Sequence, residues 1–343
     1  MAYTTIDNPF KHFNTKTYTG TGSSNALTGV GFQPDWTWIK KRNSTGDHEL
    51  YDAVRGVTKT LYSNGTSAEY THSNGLTAFG TDGFTVGTGG SVNNSSDTFV
   101  AWNWKANGTG SSNSDGSISS TVSVNTTAGF SIVSYTGTGS NATIGHGLGA
   151  VPKMIFFKDR ETSVDWGVYA EPNGNTKEMY LSTTDAAGTN SGAFNSTTPT
   201  SSVFTIGTSS RYNPSSKGVI AYCFANVKGY SKIGSYTGNG LSNGPFVYTG
   251  FRVAWLMIKR TDSANSWIIM DTKRNTFNPM GEELKAEVSD AGNDATRWDQ
   301  LSNGFKLRNS GGAVNASGGT YIYMAFAGAP FVTSGTKAAG TAR

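Results

Sequence analysis

"YTGTGS" occupies residues 18–23 and recurs letter for letter at residues 135–140, and a near copy, "YTGNG", stands at residues 236–240. A six-residue string does not recur by chance in a chain of 343 residues, and further anchors repeat with it at fixed offsets. A strand-like run ending in basic residues follows each tyrosine after 22 or 23 positions: "WTWIKKR" with Lys40, "MIFFKDR" with Lys158 and "AWLMIKR" with Lys259. Phe84, Phe204 and Phe305 open a later run. Each unit then closes on an apolar stretch, "TFVAWNW", "GVIAYCF" or "YIYMAFA", carrying Ala101, Ala221 and Ala325. Four anchors in one order, three times over, with drift confined to the turns, define a repeat of nearly a hundred residues. That period is too long for a solenoid unit or a propeller blade and suits a self-contained β-domain.

The anchors partition the chain into an N-terminal lead (1–16), repeats at 17–108, 132–229 and 230–330, and a tail (331–343). A Ser/Gly/Thr-rich linker at 109–131 is predicted to be a flexible tether, because its composition is that of one. The second and third repeats are joined tightly through "NVKGYSK". Within a repeat, "WTWIK" puts Trp36 and Trp38 on one strand face, and "FVAWNW" does the same for Trp102 and Trp104. Asn-Gly dipeptides punctuate the runs. Helical periodicity is confined to "GEELKAEVSD" (281–290). The expected class is all-β: three tandem antiparallel β-sandwich domains, jelly-roll or lectin-like, strung as beads.

Composition narrows the function. Charged residues are 15% of the chain, against about 25% in an average globular protein, and the net charge is +4 with no basic block. Nucleic-acid binding through phosphate neutralisation needs more clustering than that. The single cysteine, Cys223, excludes a disulfide framework and a cysteine zinc site, and its apolar neighbours predict a buried, inert thiol. No run is long enough to span a membrane, and the first residues do not form a signal peptide.

No catalytic constellation emerges. His12, His48, His72 and His146 have no equivalent positions in the repeats and no metal-ligand spacing, so turn or surface roles are expected and no metal or cofactor is implied. The strongest polar set is Lys40, Arg42, Asp52 and Arg55 in the first repeat, matched by Lys259, Arg260, Asp271 and Arg274 in the third. In the second, Ala170 replaces the aspartate and Asn173 stands at the arginine position. A duty common to all repeats is not dropped in one, so the expectation is a structural ion pair between adjacent strands, with an anion or carbohydrate contact as the alternative. Trp166 and Trp298 have polar neighbours and are the expected exposed rings, hence candidate glycan platforms.

The stretches "YTGTGSSNALTGVGFQPDWTWIKKRN", "LYDAVRGVTKTLYSN" and "TFVAWNWKANG" resemble a repeated domain of unknown function found in proteins of marine tailed bacteriophages. The similarity is close over the first repeat and is reduced to the anchors in the other two. The resemblance implies a non-enzymatic virion protein, assembled in the host cytoplasm and released by lysis, often found beside tail-fibre and lectin-like modules. The expected role is a tail or fibre-type host-attachment component, with other virion proteins and a host-surface glycan as partners and a homotrimer as the oligomer. The alternative is a decoration or cement protein of the head. A glycan depolymerase is remote, because no two of Glu282, Glu283 and Glu287 are shown to converge.

Overall fold

A computed structural model describes residues 3–333; the tail sequence at 334–343, expected to be loose, lies outside them. The chain is nearly all β. Three segments each build a main antiparallel sheet in the same spatial order. An opening strand (Phe13–Thr19, Phe130–Thr136 or Ser231–Thr237) pairs with a closing strand (Thr98–Trp104, Gly218–Phe224 or Thr320–Pro330). The closing strand pairs in turn with a lysine strand (Trp36–Lys41, Met154–Asp159 or Phe251–Arg260). A fourth strand follows (His48–Asp52, Gly167–Ala170 or Ile268–Asp271), then a fifth (Lys59–Tyr62, Lys177–Tyr180 or Met280–Lys285).

A smaller separate sheet covers one face of the first and second main sheets. In the third segment the sheet itself runs on from Met280–Lys285 through Asn293–Leu301 and Gly304–Leu307 to Phe246–Tyr248, and these strands cover the same face, so each segment is a sandwich-like unit. Leu27, Phe84 and Val86 pack on Ile39, Tyr51 and Phe99 in the first segment. Ile144, Phe204 and Ile206 pack on Ile155, Phe157 and Cys223 in the second. Val247, Phe305 and Leu307 pack on Leu256, Ile258 and Tyr323 in the third. The other face of each main sheet is buried too, and here the segments meet. Trp36, Trp38, Trp102 and Trp104 share one core with Phe156, Trp166, Tyr222 and Phe224 and with Trp255, Met257, Trp267, Met324 and Phe326. Rings touch across segments: Trp36 stacks on Tyr222 at 4.4 Å between centroids, and Trp104 meets Trp255 edge-on at 5.7 Å.

Two-sided burial accounts for strands in which nearly every residue is inaccessible, while the two-residue alternation still decides which core each side chain enters. Seven of the eight tryptophans lie in the shared core. Each indole removes about 200 Å² from water, or roughly 5 kcal/mol as an upper figure. A segment standing alone would expose that face. The bead arrangement expected from the repeat period is therefore replaced by one fused body.

Two further expectations are corrected. Residues 109–131 are not a free tether. Ser111–Asn113 pairs with Ser120–Asn125, and the latter pairs with residues 130–135 of the opening strand Phe130–Thr136. Alternation within "STVSVN" puts Val122 in the second segment's core, with Val124 packed against it, which outweighs the Ser/Gly composition. The stretch at 281–290 is not helical either: it continues the fifth strand, and Leu284 and Ala286, two apart, both enter the shared core.

The recurring "YTGTGS" is a clasp. Tyr18, Tyr135 and Tyr236 each donate their hydroxyl to a carbonyl in the turn before the closing strand, on Val92, Tyr212 and Val314, at 2.6 Å. The next residue of that turn is a buried asparagine, Asn93, Asn213 or Asn315. Its Oδ1 accepts from the backbone N–H of Thr21, Thr138 or Asn239 in the clasp, and its Nδ2 donates to a clasp carbonyl on Ser23, Ser140 or Leu241. The first glycine is required by close approach: a Cβ on Gly20, Gly137 or Gly238 would stand 2.1–2.3 Å from a backbone oxygen. The second is required by backbone sign, with φ of 71°, 74° and 69° at Gly22, Gly139 and Gly240.

Candidate functional site

Most of the polar side chains singled out from sequence fall at or beside the joints between segments; Arg260, Glu283, His146 and Trp298 instead make their contacts within one segment. On the lysine strands, strict alternation puts Trp36, Trp38 and Lys40 on one inward line, as it does Met154, Phe156 and Lys158, and Trp255, Met257 and Lys259. The lysines sit at the rim of the shared core, fully buried. Each ammonium donates to a carbonyl of the neighbouring segment and to one nearby in its own. Lys40 Nζ reaches Ser289 O at 3.1 Å and Lys41 O at 2.7 Å. Lys158 Nζ reaches Thr66 O at 2.9 Å and Val164 O at 2.7 Å. Lys259 Nζ reaches Thr184 O at 2.8 Å and Asn265 O at 2.6 Å. Burial lowers the pKa of all three lysines to about 8.

The backbone closes the same circuit. Glu69 N–H donates to Arg160 O, Ala187 N–H to Thr261 O and Gly292 N–H to Arg42 O, linking first to second, second to third and third to first. Eight residues beyond each lysine stands His48, Trp166 or Trp267. Trp166 Nε1 donates to Tyr62 O at 2.7 Å and Trp267 Nε1 to Tyr180 O at 2.9 Å, each across a joint. His48 lies beside the backbone of Lys285 and Val288; burial, then the nearby Lys40, hold it neutral by lowering its pKa well below the usual value. His48 and His146 are both buried, against the expectation of turn or surface positions. His48 opens the strand His48–Asp52, every residue of which is buried, and its Nδ1 accepts from Trp38 Nε1; His146 follows the strand Ala142–Gly145, and its Nδ1 accepts from the Leu148 N–H.

The expected ion pair is present, with different partners. Asp52 does not pair with Lys40 across strands; its carboxylate takes Arg55, three residues on, at 2.5 Å from Nε, and Asp271 takes Arg274 at 2.6 Å. Both pairs are fully buried. Each aspartate also accepts a ring donor from another segment: Tyr222 Oη onto Asp52 at 2.7 Å and Trp102 Nε1 onto Asp271 at 2.9 Å. Arg42 reaches across a joint to form a two-pronged pair with Glu282, at 2.9 and 2.8 Å. Arg160, its counterpart, does the same with Glu69 at 2.9 and 3.0 Å. Arg260 instead pairs locally with Asp262.

Trp166 and Trp298 are both fully buried, which removes them as exposed glycan platforms. Asp165 and Arg297 beside them are partly exposed. In the strand Asn293–Leu301 the side chains of Arg297 and Trp298 point to opposite faces, while Trp166 lies just before the strand Gly167–Ala170 and is turned inward by its bond to Tyr62 O. Trp298 belongs to the third segment's own core and Trp166 to the shared one. Cys223 is buried between sheets as expected. Glu282, Glu283 and Glu287 are divided among Arg42, Arg297 and the Trp267 backbone N–H. Among the described residues no group of three or more His, Cys, Asp or Glu side chains could hold a metal ion, and no helix is long and apolar enough to cross a membrane.

The signal that identified these joints was present as the fixed-offset lysines; what sequence could not show was that their partners are carbonyls, which carry no residue identity. Comparison with known proteins finds no match among curated proteins or solved structures. A family match, to the domain of unknown function DUF7483, runs over residues 8–330 and so takes in all three segments and the joints between them. The chain belongs to the DUF7483 family.

Proposed function

We propose that this chain is a non-enzymatic structural protein of a bacteriophage particle, exposed on its surface as a tail or fibre-type component that contacts the host, with a host-surface glycan as ligand. It is assembled in the host cytoplasm with other virion proteins and released by lysis, as three tandem lectin-like sandwiches fused into one rigid body. The observation that carries this reading is the use made of the charged residues. Lys40, Lys158, Lys259, Asp52, Arg55, Asp271 and Arg274 are all buried and engaged in closing the joints. A protein that invests its buried ionisable groups in rigidity suits a role as a building block. The phage assignment draws on the resemblance of the first repeat.

A decoration protein of the head is the second reading, and one finding favours it: the linker at 109–131, pinned by the paired strands Ser111–Asn113 and Ser120–Asn125, gives no reach of the kind an adhesin tether supplies. Immunogold labelling of intact particles with an antibody to residues 17–108 separates the two. Label confined to the tail is expected; label spread over the head assigns the decoration role, and unlabelled particles would overturn both.

A further inference from the structure

A concave site lies where the N-terminal residues cross the connection between the second and third segments. Its cavity of about 380 Å³ is lined by Tyr3, Lys228, Lys232 and Tyr248 above a floor that includes Gly229 and Gly250. Both glycines have positive φ, 77° and 86°. A Cβ on Gly250 would stand 3.0 Å from Tyr3 Oη and 3.4 Å from Tyr248 Oη, so both phenol groups converge on this turn. Tyr3 is fixed by its hydroxyl, which donates to Gly250 O at 2.5 Å. Tyr248 is half exposed, a flat ring open to solvent.

The two lysines distinguish this hollow from other surface grooves. Lys228 Nζ lies 4.8 Å from the Tyr3 ring centre and Lys232 Nζ 5.5 Å from that of Tyr248. Lys232 also donates to Tyr248 O at 2.7 Å. Neither forms an ion pair with a described residue, and no Asp or Glu lines the cavity. Burial lowers the pKa of Lys232, so its charge is partly desolvated without a counter-ion. Two cations with no carboxylate, an accessible aromatic face and hydrogen-bonding backbone make a site for a ligand that is anionic and also carries an apolar face with hydroxyls. A pyranose bearing a carboxylate meets both demands: its C–H face stacks on a tyrosine ring while the carboxylate pairs with a lysine.

We propose that this hollow binds a carboxylate-bearing saccharide, with Tyr248 as stacking platform and Lys228 and Lys232 as the carboxylate contacts. The proposal rests on the surface-contact reading above and names the ligand class for it, at residues distinct from those the sequence suggested.

The test is binding of uronic-acid oligosaccharides (galacturonate, glucuronate and mannuronate series) to the full chain, beside their methyl esters and beside sodium acetate. Retention of at least one acidic series is expected, with the esters and acetate at least tenfold weaker. Lys228→Gln and Tyr248→Ala, both at exposed positions, should each weaken binding about tenfold while leaving the unfolding midpoint unchanged. Binding of none of the acidic series, equal binding of esters, equal binding of acetate, or unaltered binding by both variants would overturn the proposal. These outcomes are read on the isolated chain, so they stand or fall separately from particle labelling, which tests the virion role.

Discussion

At two of the three joints a buried aspartate receives a ring donor from the next segment, Tyr222 onto Asp52 and Trp102 onto Asp271. At the third joint the corresponding positions hold Met324 and Ala170. Register fixes the equivalence: Trp38, Phe156 and Met257 pair with Trp102, Tyr222 and Met324, while Trp36, Met154 and Trp255 pair with Asp52, Ala170 and Asp271. Donor and acceptor are therefore lost together, and the arginine goes with them, since Asn173 stands at its position. An aspartate at 170 would face a thioether and have no guanidinium, leaving a buried charge uncompensated. The gap in the second segment, which in the sequence argued for a structural ion pair over a duty common to all repeats, is one joint built with apolar groups in place of a polar triad.

The comparison breaks most sharply under Asp271→Ala. That change leaves Arg274 buried without its carboxylate and Trp102 Nε1 without an acceptor, so a loss of ~3–5 kcal/mol is expected by urea denaturation. Asp52→Ala should cost about the same, and a loss under 1 kcal/mol for both would contradict the assigned role. The reverse change, Ala170→Asp, should destabilise by ~3 kcal/mol, the cost of a buried unpaired acid. Adding Met324→Tyr and Asn173→Arg together should recover part of the loss. No recovery in the triple variant would show that the joints are not interchangeable.

The lysines sharpen the comparison because all three joints have one. Their folded pKa of about 8 lies below the unfolded value of about 10.4, so between those limits the unfolded chain holds more protons. Stability should rise with pH from about 8 towards 10, by at most ~1.4 kcal/mol per pH unit for each lysine. Tyrosines whose pKa is raised by burial, such as Tyr18 and Tyr222, act in the opposite sense only above about pH 10. Replacing the three lysines by Met should abolish the rise, and an unchanged slope would refute the role assigned to these buried lysines at the joints. The smallest effects belong to the clasps: Gly137→Ala should cost ~1–3 kcal/mol through overpacking against Pro214 O, and Gly139→Ala about 1 kcal/mol through its positive φ. Thermal unfolding of the two variants side by side checks the order.

The repeat anchors and strand runs were legible because they obey local rules: glycine where the backbone demands it, alternation along strands, Asn-Gly at turns. The partners of those anchors were not. Lys40, Lys158 and Lys259 bind main-chain oxygens in another segment, and a carbonyl leaves no trace in sequence. Trp166 and Trp298 have polar neighbours, which pointed to exposure; but in the strand of Trp298 the neighbour reports on the opposite face, and the carbonyl of Tyr62 that draws Trp166 inward belongs to another segment and leaves no trace beside it in sequence. In residues 109–131 composition spoke for a tether while the valines of "STVSVN", spaced by two, spoke for a strand, and pairing to Phe130–Thr136 decided it. Fusion of the segments had one visible sign, aromatic residues at alternate positions on strands whose other face was apolar as well.

Calorimetric unfolding of the full chain tests the fused core most directly. A single cooperative transition is predicted, shifted as a whole by Asp271→Ala. Separate transitions, with that substitution displacing only one of them, would show that the three segments stand independently and contradict the shared core.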